Sequence, residues 1–365
     1  MPNPESHPSP QLAALAALRR DLPHPPSLPA RLTERYGTDA TENRLYHGDN
    51  GLVMQHLLDA GFAGRFMCIY ADPPFDTGVD RTMRIALQSG SRISITAYAD
   101  RWDRERPYLQ MLRDRLALMR ELLHPAGTLY LHCDWRASAV LRLVCDDLFG
   151  PSHFMNHCIW TYKTGGTPNE DGFSRKHDDI LVYAKGDRPY FDAPKQKSFV
   201  PTLPEPHTPS GAGLGVLRED GCSLCGASGP GQKYRWVRMR DVWDDIPTVF
   251  RNDPAWEGYP TQKPVMLTER IFAASSRPGD WVADFFAGSG ASAVAAARLG
   301  RRWVGCEVGL PGLHTIRKRL VRENIPFAIH AVGDVSAGVA ECRLTAMKAS
   351  IKADPMETDG TWRIT

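Results

Sequence analysis

From Trp281 to Glu307 the chain reads as one unit. A short apolar run, Trp281-Val282-Ala283-Asp284, is followed by a turn of small residues, an Ala-rich stretch to Leu299 and a second apolar run, Trp303 to Glu307. This is the pattern of a complete β-α-β unit. Strands joined through one helix run parallel, and parallel strands occur almost only in sheets covered by helices on both faces. The unit therefore commits the surrounding chain to an α/β sheet. Its neighbours agree: from Asn43 onward, short apolar runs alternate with amphipathic stretches.

In Asp284-Phe285-Phe286-Ala287-Gly288-Ser289-Gly290 the strand ends in a carboxylate, and the small residues that follow let the backbone approach a ligand closely. Glu307 ends the next strand. In a doubly wound sheet both carboxylates lie at the carboxyl edge, where ligands bind, and Glu307 is suited to accept hydrogen bonds from ribose hydroxyls. Taken alone, the loop fits NAD, S-adenosylmethionine or a tight turn without a ligand. Ala293 stands at the third glycine position of a dinucleotide fingerprint, which argues against NAD.

Upstream, Phe66 to Tyr70 and Thr128 to Cys133 read as strands. Leu109, Leu112, Leu116, Met119 and Leu123 mark one face of a helix that ends before Pro125. A second helix follows Asp134, with Val140, Val144 and Leu148 four apart, and the runs Cys158 to Tyr162 and Ile180 to Tyr183 are suited to close the sheet. The spacing predicts a helix after Pro264 through Leu267 and Ile271, ending at the turn Pro278-Gly279-Asp280. The expected organisation is a Pro-rich arm over 1–40, in which Leu12, Leu15 and Leu18 could line a short helix. An α/β half over 41–185, a loop-rich insertion over 186–258, a second α/β half over 259–330 and an extension over 331–365 follow.

The 44 basic and 42 acidic side chains leave a net charge of only +2, so a nucleic-acid surface has to come from local clustering. The N-terminus lacks the basic and apolar regions of a secretory signal, and no apolar run reaches membrane-spanning length. Cys68, Cys133, Cys145, Cys158 and Cys306 sit among apolar residues like core thiols, so the expected setting is a reducing cytoplasm, away from any membrane.

Ile69-Tyr70-Ala71-Asp72-Pro73-Pro74-Phe75 places an acid at the end of a buried strand, before two prolines that fix the backbone and remove its N–H donors. A rigid loop that presents only acceptors suits a substrate that donates, such as an aromatic amine. Asp72 and the Pro73 carbonyl would receive its two amino hydrogens, and Phe75 would stack on a base that has left its duplex. The competing reading is a Pro-Pro turn after a strand.

Together these segments resemble the β-class amino-methyltransferases of DNA, the N-4/N-6 DNA methylase family, in which the catalytic tetrapeptide precedes the cofactor loop. Asp72-Pro73-Pro74-Phe75-Asp76-Thr77-Gly78 is similar to the catalytic motif of adenine-specific members; cytosine-specific members more often carry Ser at the position of Asp72. Tyr130-Leu131-His132-Cys133-Asp134 and Arg175-Lys176-His177-Asp178 also resemble family segments. Tyr259-Pro260-Thr261-Gln262-Lys263-Pro264 resembles the segment that helps hold the methionine end of the cofactor. Tyr46-His47-Gly48-Asp49-Asn50 resembles the strand end whose acid contacts the cofactor's adenine ring.

The resemblance implies a doubly wound, Rossmann-like methyltransferase sheet with an inserted target-recognition region, and S-adenosyl-L-methionine as cofactor. It implies Asp72, Pro73, Pro74 and Phe75 as the catalytic residues. Asp49, Asp72, Lys263, Pro264, Asp284, Phe286, Gly288, Ser289, Gly290 and Glu307 are implied as the cofactor contacts. Three departures stand out: Phe285 replaces a frequent Pro; Ala291 replaces a frequent Thr, whose hydroxyl Ser289 or Ser292 would have to supply; and Phe75 replaces the commoner Tyr, which keeps the stacking face but removes a hydroxyl.

The implied partner is double-stranded DNA; the resemblance also leaves room for a homodimer and a restriction partner, neither marked by any motif here. Lys233, Arg235, Arg238 and Arg240 cluster beside Tyr234 and Trp236 in the insertion, a mix suited to phosphate contact and stacking. Asp241, Asp244 and Asp245 follow, so a self-paired charged face fits equally well. Cys222 and Cys225, with His207 nearby, fall short of a four-ligand zinc site, and no metal is expected. Lys163 and Gly165-Gly166 suit a loop closing on DNA, whereas His132 and His177 read as packed or hydrogen-bonded residues. Three functions compete: an adenine-specific DNA methyltransferase; the same fold acting on cytosine N4 or RNA; and a DNA-binding specificity module whose cofactor site is impaired at Phe285 and Ala291.

Overall fold

A computed structural model of the chain describes residues 18, 21, 23–37, 42–86, 92–101, 108–162, 172–199 and 234–335. The elements run β1 (Ala30–Tyr36), β2 (Arg44–His47), α1 (Asn50–Leu57), β3 (Phe66–Ala71), a hairpin β4 (Arg81–Ala86) and β5 (Arg92–Tyr98), α2 (Tyr108–Leu122), β6 (Leu123–Cys133), α3 (Ser138–Phe149), β7 (Phe154–Thr161) and β8 (His177–Ala184). A second hairpin follows, β9 (Lys195–Phe199) with β10 (Tyr234–Arg238), and then β11 (Val242–Trp243), α4 (Val265–Ser275), β12 (Trp281–Asp284), α5 (Ala291–Arg298), β13 (Arg302–Glu307), α6 (Leu310–Arg322) and β14 (Phe327–Val332).

Ten strands form one sheet in the order β1-β14-β2-β13-β12-β3-β6-β8-β7-β11. β1 and β8 are antiparallel to their neighbours, and the remaining pairs are parallel. Alternation along β3 shows why both faces are covered. Ile69 and Ala71 enter a cluster with Val53, Leu57, Leu112, Leu116, Met119 and Leu141 from α1, α2 and α3. Cys68 and Tyr70 enter the opposite cluster, with Leu267, Ile271, Val294 and Ile316 from α4, α5 and α6. Successive side chains of a strand point to opposite faces, so a wholly apolar strand needs a helical layer on each. The doubly wound α/β expectation holds.

Some boundaries differ from the sequence reading. β6 starts at Leu123 rather than Thr128, because α2 ends at Leu122 and the chain pairs with β3 at once; the register then shifts between Leu123 and Thr128. Gly127 sits at that irregularity, where a Cβ would come within 2.7 Å of the Phe66 carbonyl oxygen. Within the stretch read as an arm, Ala30–Tyr36 forms an edge strand on β14, and Arg317 on α6 donates to Glu34 at 2.8 Å. Its exposed, polar residues carry no apolar run to betray it. From the stretch read as an insertion, β11 returns to the main sheet beside β7, where the Trp160 indole donates to the Ile246 carbonyl at 2.8 Å.

Candidate active site

Four acids follow or end adjacent parallel strands: Asp49 just after β2, Glu307 on β13, Asp284 on β12 and Asp72 after β3. The strand sequence winds outward from β3 to β6 on one side and from β12 to β13 on the other. Between β12 and β3 lies the switch point at which open α/β sheets bind ligands. A cleft of about 1210 Å³ opens there, lined by all four acids together with Phe75, Tyr259, Lys263 and the Gly288-Ser289 turn.

On the β12–β13 side the acids shape the loop. Asp284 accepts from the Phe286 N–H at 2.9 Å and the Ser292 hydroxyl at 2.6 Å, while Glu307 accepts from the N–H groups of Gly288 at 2.9 Å and Gly309 at 2.7 Å. Burial pushes both carboxyls up to about 7, even though these hydrogen bonds favour the charged form. Two dry carboxyls held at a cleft are sites for hydrogen-bond donors. Gly288 and Gly290 take positive φ values of 51° and 75° to turn the chain between them. The Phe285 ring leaves the cleft for the core, edge-on to Phe66 at 6.2 Å, and its carbonyl accepts from the Asn50 side chain at 2.9 Å. Of the two serines weighed against Ala291, Ser292 spends its hydroxyl on Asp284.

Asp49 caps α1 by accepting from the N–H groups of Gly51 and Leu52, and Arg115 on α2 reaches both its oxygens at 3.0 and 2.8 Å. Nothing in the sequence pattern singled out Arg115, which sits within an ordinary amphipathic helix.

On the β3 side, the Lys263 ammonium lies 2.7 Å from Asp72 and 5.3 Å from the centre of the Phe75 ring. Burial opposes its charge, but Asp72 and Asp178 outweigh that and raise its pKa. The Tyr108 hydroxyl donates to the Pro74 carbonyl at 2.8 Å. His132, fully buried, has Nε2 3.0 Å from Asp178 and Nδ1 2.8 Å from the Tyr70 hydroxyl; that Nδ1 stands 4.0 Å from Asp72. With the ring proton on Nε2, every partner is satisfied: Nε2–H donates to Asp178 and the Tyr70 hydroxyl donates to Nδ1.

The segment after Phe75 is pinned by Asp100, 1% exposed, which accepts from the N–H groups of Asp76 at 2.8 Å and Thr77 at 3.3 Å. Asp76 takes a positive φ of 53°, which those bonds hold in place. Asp100 follows the β4–β5 hairpin, 24 residues from Asp76, and only folding brings the two together.

The profile of the N6/N4 methyltransferase family, described as DNA methylase, matches residues 66–311, a span from β3 past the Gly288-Ser289-Gly290 turn. The chain belongs to this family of DNA methylases. Over 329 residues the methylase is 28% identical to the Type II methyltransferase M.EcaI of Enterobacter cloacae, covering 78% of this chain and 70% of that protein. Over 276 residues it is 27% identical to the DNA adenine methyltransferase YhdJ of Escherichia coli (strain K12), covering 75% of this chain and 80% of that one. Among solved structures, the M1.HpyAVI-SAM complex aligns with a TM-score of 0.47 and 16% identity, over 76% of this chain and 98% of that one.

Elsewhere in the methylase, Arg238 and Arg240 are exposed, and Asp245 pairs with Arg270 on α4 rather than with this basic cluster. Arg235 lies on β10. Lys233, Cys222, Cys225, His207, Lys163 and Gly165-Gly166 fall outside the described residues. Among the described residues no group of His, Cys, Asp or Glu is arranged to hold a metal ion, and no helix is long and apolar enough to cross a membrane.

Because Asp100 fixes the backbone of the segment that follows Phe75, Asp100→Ala is expected to lower the methyl-transfer rate about a hundredfold. Cofactor affinity should stay within about twofold. Single-turnover transfer and calorimetry check this, and an unchanged rate would show that the loop holds its shape without Asp100.

Proposed function

We propose that the chain transfers a methyl group from S-adenosyl-L-methionine to the exocyclic amino group of adenine in double-stranded DNA. The observation that carries this reading is the acceptor-only loop at Asp72-Pro73-Pro74, with the Phe75 ring beside it, opening into the same cleft as Asp284 and Glu307. When bound, S-adenosyl-L-methionine supplies an electrophilic methyl on a sulfonium sulfur.

Glu307 suits the ribose hydroxyls and Asp49 the adenine ring of the cofactor. Gly288, Ser289, Asp284, Phe286 and Lys263, which line the cleft, are assigned to the remainder, whereas Pro264 and Gly290 start α4 and α5 behind that lining. Asp72 and the Pro73 carbonyl accept the two amino hydrogens of the flipped adenine, which turns the nitrogen lone pair toward the methyl while Phe75 holds the base plane. Transfer would exchange the S–CH3 bond for an N–CH3 bond and release S-adenosylhomocysteine; the surplus proton on the amine would pass to Asp72, the adjacent base. The gain comes from positioning and electrostatics. Within the insertion, Lys233, Arg235, Arg238 and Arg240 are assigned to DNA contact; the separate pairing of Asp245 with Arg270 supports this for the two that are exposed.

Nucleoside analysis after incubation with DNA and RNA substrates tests the reading. N6-methyladenine in DNA is expected; N4-methylcytosine as sole product, or methylation confined to RNA, would overturn it.

Glu307 also sets a pH dependence. Burial pushes its carboxyl up to about 7, and ribose hydroxyls donate to the charged form. Cofactor affinity is therefore expected to rise, by up to tenfold per pH unit, as pH increases toward 7 and then to level off. Calorimetry from pH 5.5 to 8 reads this out, and Glu307→Gln should flatten the curve. A flat wild-type profile would remove Glu307 from the ribose contact.

A further inference from the structure

We propose that Trp135, Arg175 and Phe173 form a stacking and phosphate-binding platform for the DNA that flanks the methylated base. This surface is separate from the basic cluster of the insertion. The inference rests on the proposed action on duplex DNA and adds to it the side of the cleft on which the unstacked strand lies.

Trp135 and Arg136 follow Asp134 at the end of β6. β6 pairs with β3 so that Leu131 faces Ala71, which sets Trp135 only three residues beyond the position opposite Asp72, on the order of 10 Å along the strand direction. Arg175 precedes β8, whose residue Asp179 faces Cys133 in the same sheet, so both segments emerge at the edge that carries the catalytic loop.

The Trp135 indole is 45% exposed, and the Arg175 guanidinium lies 4.0 Å from its ring centre. Phe173, two residues before Arg175, is 98% exposed. Arg136 reaches the same indole at 5.9 Å, but its charge is engaged with the buried Asp134. Among the described residues no acid pairs with Arg175, whose guanidinium is placed by the Trp135 ring.

A single exposed aromatic residue needs no explanation. Two of them at the sheet edge that carries the Asp72 loop, one with a guanidinium stacked on it, are another matter, because this composition is enriched at binding hot spots. Withdrawing a base from a duplex unstacks its neighbours, and exposed aromatic and guanidinium planes are the surfaces that restack them. The flat Arg175–Trp135 pair offers such a plane and a positive charge in one unit.

Duplex affinity measured against salt concentration separates the roles. Trp135→Ala and Phe173→Ala are each expected to weaken binding about tenfold with the salt slope unchanged, and Trp135→Phe to restore most of the loss. Arg175→Ala is expected to weaken binding and to lower the slope of log K against log salt by about one. Cofactor affinity and melting temperature should match wild type in all four, which distinguishes a platform from a folding defect. If wild type binds and methylates duplex DNA while Trp135→Ala and Arg175→Ala bind with its affinity and slope, the platform is refuted and the methyltransferase reading stands. If wild type neither binds nor methylates duplex DNA, that reading fails and the platform falls with it. Tighter wild-type binding to RNA of the same sequence would also overturn the assignment to DNA.

Discussion

Asp72→Ala is expected to abolish methyl transfer, with a loss of at least about a thousandfold at saturating DNA and cofactor, while DNA binding stays largely intact. In the proposed mechanism the substitution removes the charged acceptor for the target amine and the base nearest the surplus proton. It also has a second consequence, visible only in the fold. Lys263, 12% exposed and 2.7 Å from Asp72, loses its closest counter-charge. Breaking a pair from one side leaves the other charge uncompensated; this one is only partly buried and Asp178 remains as a counter-charge, so the single variant should also melt somewhat earlier. The double variant Asp72→Ala with Lys263→Met removes both charges and is expected to recover much of the stability but none of the rate. Single-turnover transfer, thermal melting and DNA titration of the two variants separate chemistry from stability. Near-normal turnover in Asp72→Ala would end the role assigned to it.

The second large effect is expected at Gly290. Its φ of 75° is costly for any L side chain, and a Cβ there would stand 3.0 Å from both Cγ atoms of Ile316, itself fully buried on α6. A left-handed backbone costs about 1–2 kcal/mol and overpacking about 1–3 kcal/mol. Gly290→Val should therefore destabilise the protein by about 2–5 kcal/mol and displace the Gly288-Ser289 turn. Cofactor affinity should fall at least tenfold. Gly300→Ala is the matched control: its φ is 68°, but the nearest atom to a new Cβ is Pro278 Cβ at 3.8 Å, in ordinary contact. It should carry the backbone cost alone and bind cofactor normally. Calorimetry on wild type also settles the specificity-module alternative, since micromolar binding of S-adenosylmethionine excludes an impaired site. Wild-type affinity in Gly290→Val would detach the turn from cofactor binding.

Local chemistry made much of the site readable before folding was considered. The helix through Leu109 to Met119 and the β12-α5-β13 unit are announced by periodicity, because a buried face repeats every three to four residues in a helix and a buried strand is a short apolar run. The tetrapeptide and the Gly-rich turn are legible for another reason: prolines and glycines alter the backbone whatever surrounds them.

Asp100, Arg115 and Tyr108 belong to a different class. Each is an ordinary residue in its own segment, and each acts at a site built from distant chain: Asp100 on the segment after Phe75, Arg115 on Asp49, Tyr108 on Pro74. β1 escaped notice because an edge strand buries too little to leave a pattern.

The sequence by itself thus determined the α/β class, the order of the Asp72 loop and the Gly-rich turn, and the acids that stand at the ends of their strands. Those depend on local backbone chemistry and on the burial period of single elements. Tertiary structure alone decided that Lys263 meets Asp72, that Glu307 and Asp284 are dry enough to titrate near 7, and that Arg175 lies on Trp135. Distances and desolvation between residues far apart in the chain exist only once the sheet has set their strand ends side by side.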